Sequence, residues 1–200
     1  MTTPNNMLGI ILSGGAGKRV GGRDKGLIEL DSKPLVQHVL ERLAPQVTET
    51  VICIHRNEDR YARFGVSLVL DESIAYEGPM AGIRAALKRF VESDKQSEFE
   101  YFAVSPCDVP SLEGRHVERL LAAMIESDSD CAVAHDGNRR QNLHCLFQRR
   151  VVESLIAFYD QGGRAMHRWF EEVQCTDVDF SDRADCFQNL NRTDQFTQSD

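Results

Sequence analysis

LGIILSGGAGKRVGGRDKG, residues 8–26, sets an apolar run, Leu8 to Leu12, directly against a glycine-rich and basic segment. Short apolar runs bounded by glycine read as buried strands. Gly14, Gly15, Gly17, Gly21 and Gly22 remove side chains where a backbone must approach a ligand closely. Lys18, Arg19, Arg23 and Lys25 place positive charge in a chain whose formal net charge is −8. Free backbone N–H groups with cations beside them form a cradle for phosphate, so the segment predicts a loop that holds a nucleotide triphosphate.

Two commoner phosphate loops are excluded by spacing. A Walker A loop needs glycine ahead of its Gly-Lys pair and Ser or Thr after it, whereas Gly17-Lys18 has Leu12 and Arg19 at those places. The hydroxyl that would hold magnesium is missing. The dinucleotide pattern GxGxxG fails as well, because Gly15 and Gly17 are followed by Val20 where the third glycine belongs.

Further along, Thr50 to Ile54, Ser67 to Leu70 and Tyr101 to Ser105 read as strands. Between them Leu35, Val36, Val39, Leu40 and Leu43, after Pro34 at a first helical position, line one helix face. Met80, Ile83, Leu87, Phe90 and Val91 repeat the spacing, as do Val117, Leu120, Leu121, Met124 and Ile125. Such alternation predicts an α/β layer around a mainly parallel sheet. Cys131 to His135 and Leu143 to Phe147 flank the turn-prone Asp136-Gly137, which predicts a small antiparallel excursion. The aperiodic stretch from Ser13 to Lys33 is long for a structural loop and points to function.

With 200 residues the chain suits one compact domain. Its acidity argues against nucleic-acid backbone binding, so phosphate chemistry must be focused in one cleft. The six cysteines have no CxxC pairing or zinc-site spacing, and reduced thiols are the expectation. The polar MTTPNN start and the short apolar run after it lack the pattern of a signal peptide or a membrane span, giving a cytoplasmic expectation. No GxSxG elbow or Ser-His-Asp order appears, and His135, His144 and His167 lack ligand spacing.

The stretch from Leu12 to Lys25 resembles the signature LxGGxxxRMGGxDK of the molybdenum cofactor guanylyltransferases, within the nucleotidyltransferases that activate phosphorylated metabolites. Leu12, Gly14, Gly15, Arg19, Gly21, Gly22, Asp24 and Lys25 fall on it, with Val20 where the family usually has Met. Gly78-Pro-Met-Ala-Gly82 is similar to the family's GPLAG, and Cys107-Asp108-Val-Pro110 to its CD[VT]P. Val178-Asp-Phe-Ser-Asp182 and Phe187-Gln-Asn189-Leu-Asn191 resemble its DFSD and FxNxN segments. Where the family often has a nucleotide-contacting asparagine, the chain has Cys53, with His55 and Asn57 nearby.

The resemblance implies a three-layer, Rossmann-like nucleotidyltransferase fold over residues 1–200, with a nucleotide-binding part near 7–110 and an acceptor-binding part near 111–191. It implies transfer of GMP from GTP to molybdenum-molybdopterin, with release of pyrophosphate. Lys25, Arg19 and Asp108 would be catalytic; Leu12, Gly14, Gly15, Asp71, Gly82 and Asn191 would contact the nucleotide; Asp108 would hold Mg2+. Position beyond an apolar strand agrees with that role for Asp108, although an aspartate in a Pro-containing turn also serves as a cap. Arg139, Arg140, Gly163 and Arg164 stand where the family presents cations to its pterin. Molybdenum insertion proteins and molybdoenzyme chaperones are the implied protein partners. A cytidylyltransferase, a sugar- or alcohol-phosphate nucleotidyltransferase and a catalytically silent nucleotide-binding regulator remain as alternatives.

Overall fold

The computed structural model describes residues 6–14, 22–71, 77–92 and 98–188. Along the chain run β1 (Met7–Leu12), a 3-10 turn (Lys25–Leu27), β2 (Glu29–Leu30), β3 (Lys33–Pro34), α1 (Leu35–Leu43), β4 (Glu49–Ile54), α2 (Glu58–Ala62) and β5 (Ser67–Leu70). They continue with α3 (Pro79–Val91), β6 (Tyr101–Pro106), α4 (His116–Glu126), β7 (Cys131–His135), β8 (Arg140–Gln148), α5 (Val152–Asp160), α6 (Met166–Trp169), β9 (Cys175–Asp179) and a terminal 3-10 segment (Ser181–Phe187).

The main sheet has seven strands in the order β5-β4-β1-β6-β8-β7-β9. Pairing is parallel from β5 through β6 and between β7 and β9, while β8 runs antiparallel to both of its neighbours. The expected excursion is therefore part of the main sheet, and the separate antiparallel ladder is the two-residue pairing of β2 with β3. In the β7–β8 turn Asp136 Oδ1 accepts from the backbone N–H groups of Asn138 and Arg139, each at 2.8 Å. Gly137 takes the positive φ of 93° that this turn needs.

Alternate residues of each strand enter opposite cores, as a period of two requires. Leu8, Ile10, Leu12, Val51, Phe102, Val104, Cys145 and Phe147 face α3, α5 and α6; Met7, Ile11, Ile52, Ile54, Ala103 and Leu146 face α1, α2 and α4. Burial on both faces is why the strands read as continuous apolar runs rather than alternating ones.

The helix faces expected for α1 and α3 are buried apart from Val91, which is half-buried. In α4, Val117, Leu120 and Met124 are buried but Ile125 is 63% exposed, because the contact stripe against the sheet is narrower than the apolar spacing. Pro34 is the N-cap of α1, extended at ψ 141°, rather than its first helical residue, since it first pairs with Glu29. The second half of the segment from Ser13 to Lys33 is packed structure: Leu27 and Ile28 are buried, and Leu35 N–H donates to Ile28 O at 2.9 Å. Edge strand β9 carried no strong sequence signal, with Val178 its one buried residue.

His116 and His144 lie buried with ring centroids 5.5 Å apart, enclosed with Phe180 and Phe187. Burial pushes His144 down to about 3. Burial, then the charges of His144 and Arg119, holds His116 well below the ordinary 6.5. The unfolded chain thus binds more protons than the folded one below pH 6.5, and stability is lost as pH falls through that window. The melting temperature should decline from about pH 6.5 to about pH 4.5, above the main carboxylate range. The double variant His116→Phe/His144→Phe should show a flatter profile in calorimetry.

Candidate active site

The strand order reverses at β1: the chain passes from β1 through α1 to β4 on one side, and from β5 through α3 to β6 on the other. Open α/β sheets place ligands in the crevice outside the carboxyl ends of strands at such a point. Pairing persists just past the strands, with Ser13 N–H donating to Cys53 O at 2.8 Å and Cys107 N–H to Leu12 O at 3.0 Å. Beyond these bonds lies a cavity of about 300 Å³. Leu12, Ser13 and Gly14 enter it from β1, Pro106, Cys107 and Asp108 from β6, and Leu143 from β8. Asp71 enters from the end of β5, Glu77, Gly78 and Pro79 from the start of α3, and Lys25 from the 3-10 turn.

Lys25 Nζ donates to Asp108 Oδ2 at 2.5 Å, across 83 positions of sequence. The side chains are 21% and 15% exposed, so their attraction is screened far less than that of a surface pair. Asp108 Oδ1 is buried without a hydrogen-bond partner among the described residues. A hard carboxylate oxygen held bare in a cleft suits a divalent cation. Among the described residues no three His, Cys, Asp or Glu side chains are grouped to hold a metal. Burial, followed by the charge of Asp108, pushes the Cys107 thiol up to about 12, which leaves it neutral and no nucleophile.

The end of the basic loop is anchored on α2. Asp24 accepts from Tyr61 Oη at 2.6 Å and from Asn57 Nδ2 at 2.9 Å, and Arg56 donates to Gly22 O at 2.5 Å. Tyr61 Oη also lies 2.6 Å from Ser13 Oγ. Arg56 and Tyr61 did not stand out in sequence, since their partners lie more than thirty positions away, whereas Asn57 stands close to Cys53 at the family's asparagine position.

Leu12, Gly14, Lys25, Asp71 and Asp108 thus come together around one cavity. Gly82 is not among its lining residues. It packs inward, where an added Cβ would meet Cys53 Cβ and Leu12 Cδ2 at 3.3 Å each. Cys53 is buried and gives its thiol hydrogen to Gly82 O at 3.2 Å, so the side chain at the family's asparagine position serves α3 packing. His55 lies beside Gly14, with its Cβ 3.7 Å from where a Gly14 Cβ would stand. Gly15, Arg19, Asn189 and Asn191 lie outside the described residues. Arg140 pairs with Asp177 at 2.6 Å, and Asp182 with Arg119 at 2.9 Å. Arg164 reaches Glu77 at 3.1 Å and covers the ring of Tyr159, whose hydroxyl donates to the same carboxylate.

Residues 9–176 match the model of the MobA-like NTP transferase domain. The chain belongs to that family. It is 39% identical to the molybdenum cofactor guanylyltransferase of Shewanella sediminis over 94% of this chain and 93% of the relative. Identity to the molybdenum cofactor guanylyltransferase of Vibrio parahaemolyticus is 40% over 99% and 97%. Among solved structures, molybdopterin-guanine dinucleotide biosynthesis protein A from Archaeoglobus fulgidus shares the fold with a TM-score of 0.74 at 22% identity, over 94% of each chain. A 4-diphosphocytidyl-2C-methyl-D-erythritol synthase from Anaerococcus prevotii shares it with a TM-score of 0.68 at 11% identity, over 96% and 94%.

Gly26 follows the lysine because nothing larger fits: a Cβ would sit 1.9 Å from Ser13 Oγ and 2.5 Å from Tyr61 Oη. Gly26→Ala should cost about 1–3 kcal/mol in urea unfolding through overpacking. A change below about 0.5 kcal/mol would show that the Ser13–Tyr61 contact yields freely.

Proposed function

We propose that this chain transfers GMP from GTP to the terminal phosphate of molybdenum-molybdopterin, forming the guanine dinucleotide and pyrophosphate in the cavity between β1 and β6. The observation that carries the proposal is the Lys25–Asp108 pair with its bare Oδ1, seated at the switch point of a MobA-like NTP transferase domain. Near-full-length identity to guanylyltransferases supports the choice of substrates.

The acceptor phosphate has a second pKa of about 6 and is already a nucleophile at neutral pH, so no general base is needed. Its oxygen forms a bond to the α-phosphorus as the bond from that phosphorus to the bridging oxygen breaks in line, and the electron pair leaves with pyrophosphate. The protein's task is to hold two anions together and to neutralise the growing charge. Gly14 supplies a backbone N–H without a side chain in the way. The N-terminus of α3, at Gly78 and Pro79 on the cavity wall, adds favourable partial charge for phosphate. The Lys25 ammonium is poised to move from carboxylate to phosphate oxygen. Arg19 acts, by family resemblance, on the β and γ phosphates.

The described cavity wall carries Asp71, Glu77 and Asp108 together with Lys25, and Arg164 pairs with Glu77. A triphosphate entering this wall needs further positive charge. Mg2+ bound at Asp108 would supply it and polarise the phosphate oxygens. Residues near 7–110 serve the nucleotide and those near 111–191 the acceptor, with Arg164 reaching across to Glu77. All six thiols are free, which suits a reducing cytoplasm; by family resemblance, molybdenum insertion proteins and molybdoenzyme chaperones would take the product.

Pyrophosphate release measured with molybdenum-molybdopterin and each of GTP, CTP, ATP and UTP tests this directly. GTP should support turnover far better than the others. Preference for CTP would make the chain a cytidylyltransferase, and no release with any of them would leave a binding protein. Asp108→Asn should lower turnover by about a hundredfold or more, the usual cost of losing a principal electrostatic group. Turnover within threefold of the unaltered enzyme would remove Asp108 from the mechanism.

A further inference from the structure

Tyr61 is fully buried in α2, yet its hydroxyl ends between two polar groups from opposite ends of the basic loop. Ser13 directly follows β1, and Asp24 directly precedes Lys25. An ionised carboxylate only accepts, so Tyr61 donates to Asp24 Oδ1, and Ser13 must donate its own hydroxyl hydrogen to Tyr61 Oη. Burial, with the negative charge of Asp24 adding to it, pushes the tyrosine far above its ordinary range and keeps this hydrogen in place.

We propose that Tyr61 is a positioning residue: its hydroxyl staples the start of the phosphate loop at Ser13 to its end at Asp24, and so sets Lys25 in the nucleotide cavity before GTP arrives. Several observations converge on this role. Ser13 is 5% exposed, so its bond to Tyr61 does not compete with bulk water. Asn57, in the left-handed region at φ 61°, takes the other carboxylate oxygen of Asp24 and fixes its direction. Gly26 lies so close to both hydroxyls that the chain around Lys25 has no space to shift towards them. A lysine already held in place by its neighbours loses less freedom when a ligand binds, and that saving appears as affinity.

The inference rests on the reading of the cavity as a GTP site, and the test separates the two. The unaltered protein, Tyr61→Phe, Ser13→Ala and the double variant are titrated with guanosine 5′-(α,β-methylene)triphosphate and Mg2+, and amide hydrogen exchange at Lys25 and Gly26 is measured without nucleotide. Tyr61→Phe should fold with an unchanged circular dichroism spectrum and bind the analogue about tenfold more weakly, the scale of one hydrogen bond to a charged acceptor. Ser13→Ala should weaken binding in the same way, and the double variant should be no worse than the weaker single variant, because both remove one linkage. Exchange at Lys25 and Gly26 should accelerate at least about tenfold in Tyr61→Phe. Affinity equal to the unaltered protein, or fully additive losses, would overturn the staple. Should the unaltered protein fail to bind the analogue, the GTP reading falls, and unchanged exchange would then be the result that removes the staple as well.

Discussion

A lysine and an aspartate far apart in sequence meet at the one place where the sheet opens, and the character of the site follows from that contact. Asp108 stands two residues past the end of β6 and would be a costly half-buried charge if nothing balanced it. Lys25 balances it through one carboxylate oxygen, and the other has no hydrogen-bond partner among the described residues. The pair therefore holds a carboxylate and an ammonium together in a partly desolvated crevice, where each unit of charge acts more strongly than it would in water.

The fold makes this contact possible by sending consecutive crossovers to opposite faces. With α1 on one face and α3 on the other, β1 and β6 become neighbours whose following segments diverge, and a cavity opens between them. Tight strand pairing up to Ser13 and Cys107 gives the floor little room to move. The upper wall is assembled from single residues on separate segments: Asp71 after β5, the Gly78-Pro79 start of α3, and Lys25 on its short turn. Glu77 adds acidity to that wall, but Arg164 and the Tyr159 hydroxyl, from the end of α5 and just beyond it, bind it and tie that segment to the rim.

Much of this was legible in the amino-acid order. Strands buried on both faces announce themselves as apolar runs, so β1, β4, β6 and β7 were found close to their bounds, while the edge strand β5, with Val69 its one buried residue, was found from its short Ser-Leu-Val-Leu run. The Leu12, Gly14, Lys25 and Asp108 positions carried a recognisable spacing. What escaped had weak local signals. β9 is a half-exposed edge, and β2 and β3 pair over only two residues each. Tyr61 sits in an unremarkable YARFG run, and its role exists only through contacts to Ser13 and Asp24. Gly82 carries a motif that points to the ligand, and the space beside its Cα is filled from the core side by Cys53 and Leu12.

The most direct test of the central claim is a crystal structure of the protein with a non-hydrolysable GTP analogue and Mn2+ in place of Mg2+, with the ion located by its anomalous signal. A single strong peak bonded to Asp108 Oδ1 is expected, with the triphosphate between Gly14 and the start of α3 and with Lys25 Nζ turned to phosphate oxygen. A nucleotide bound outside the β1–β6 crevice, or an ion that leaves Asp108 paired only with Lys25, would contradict it.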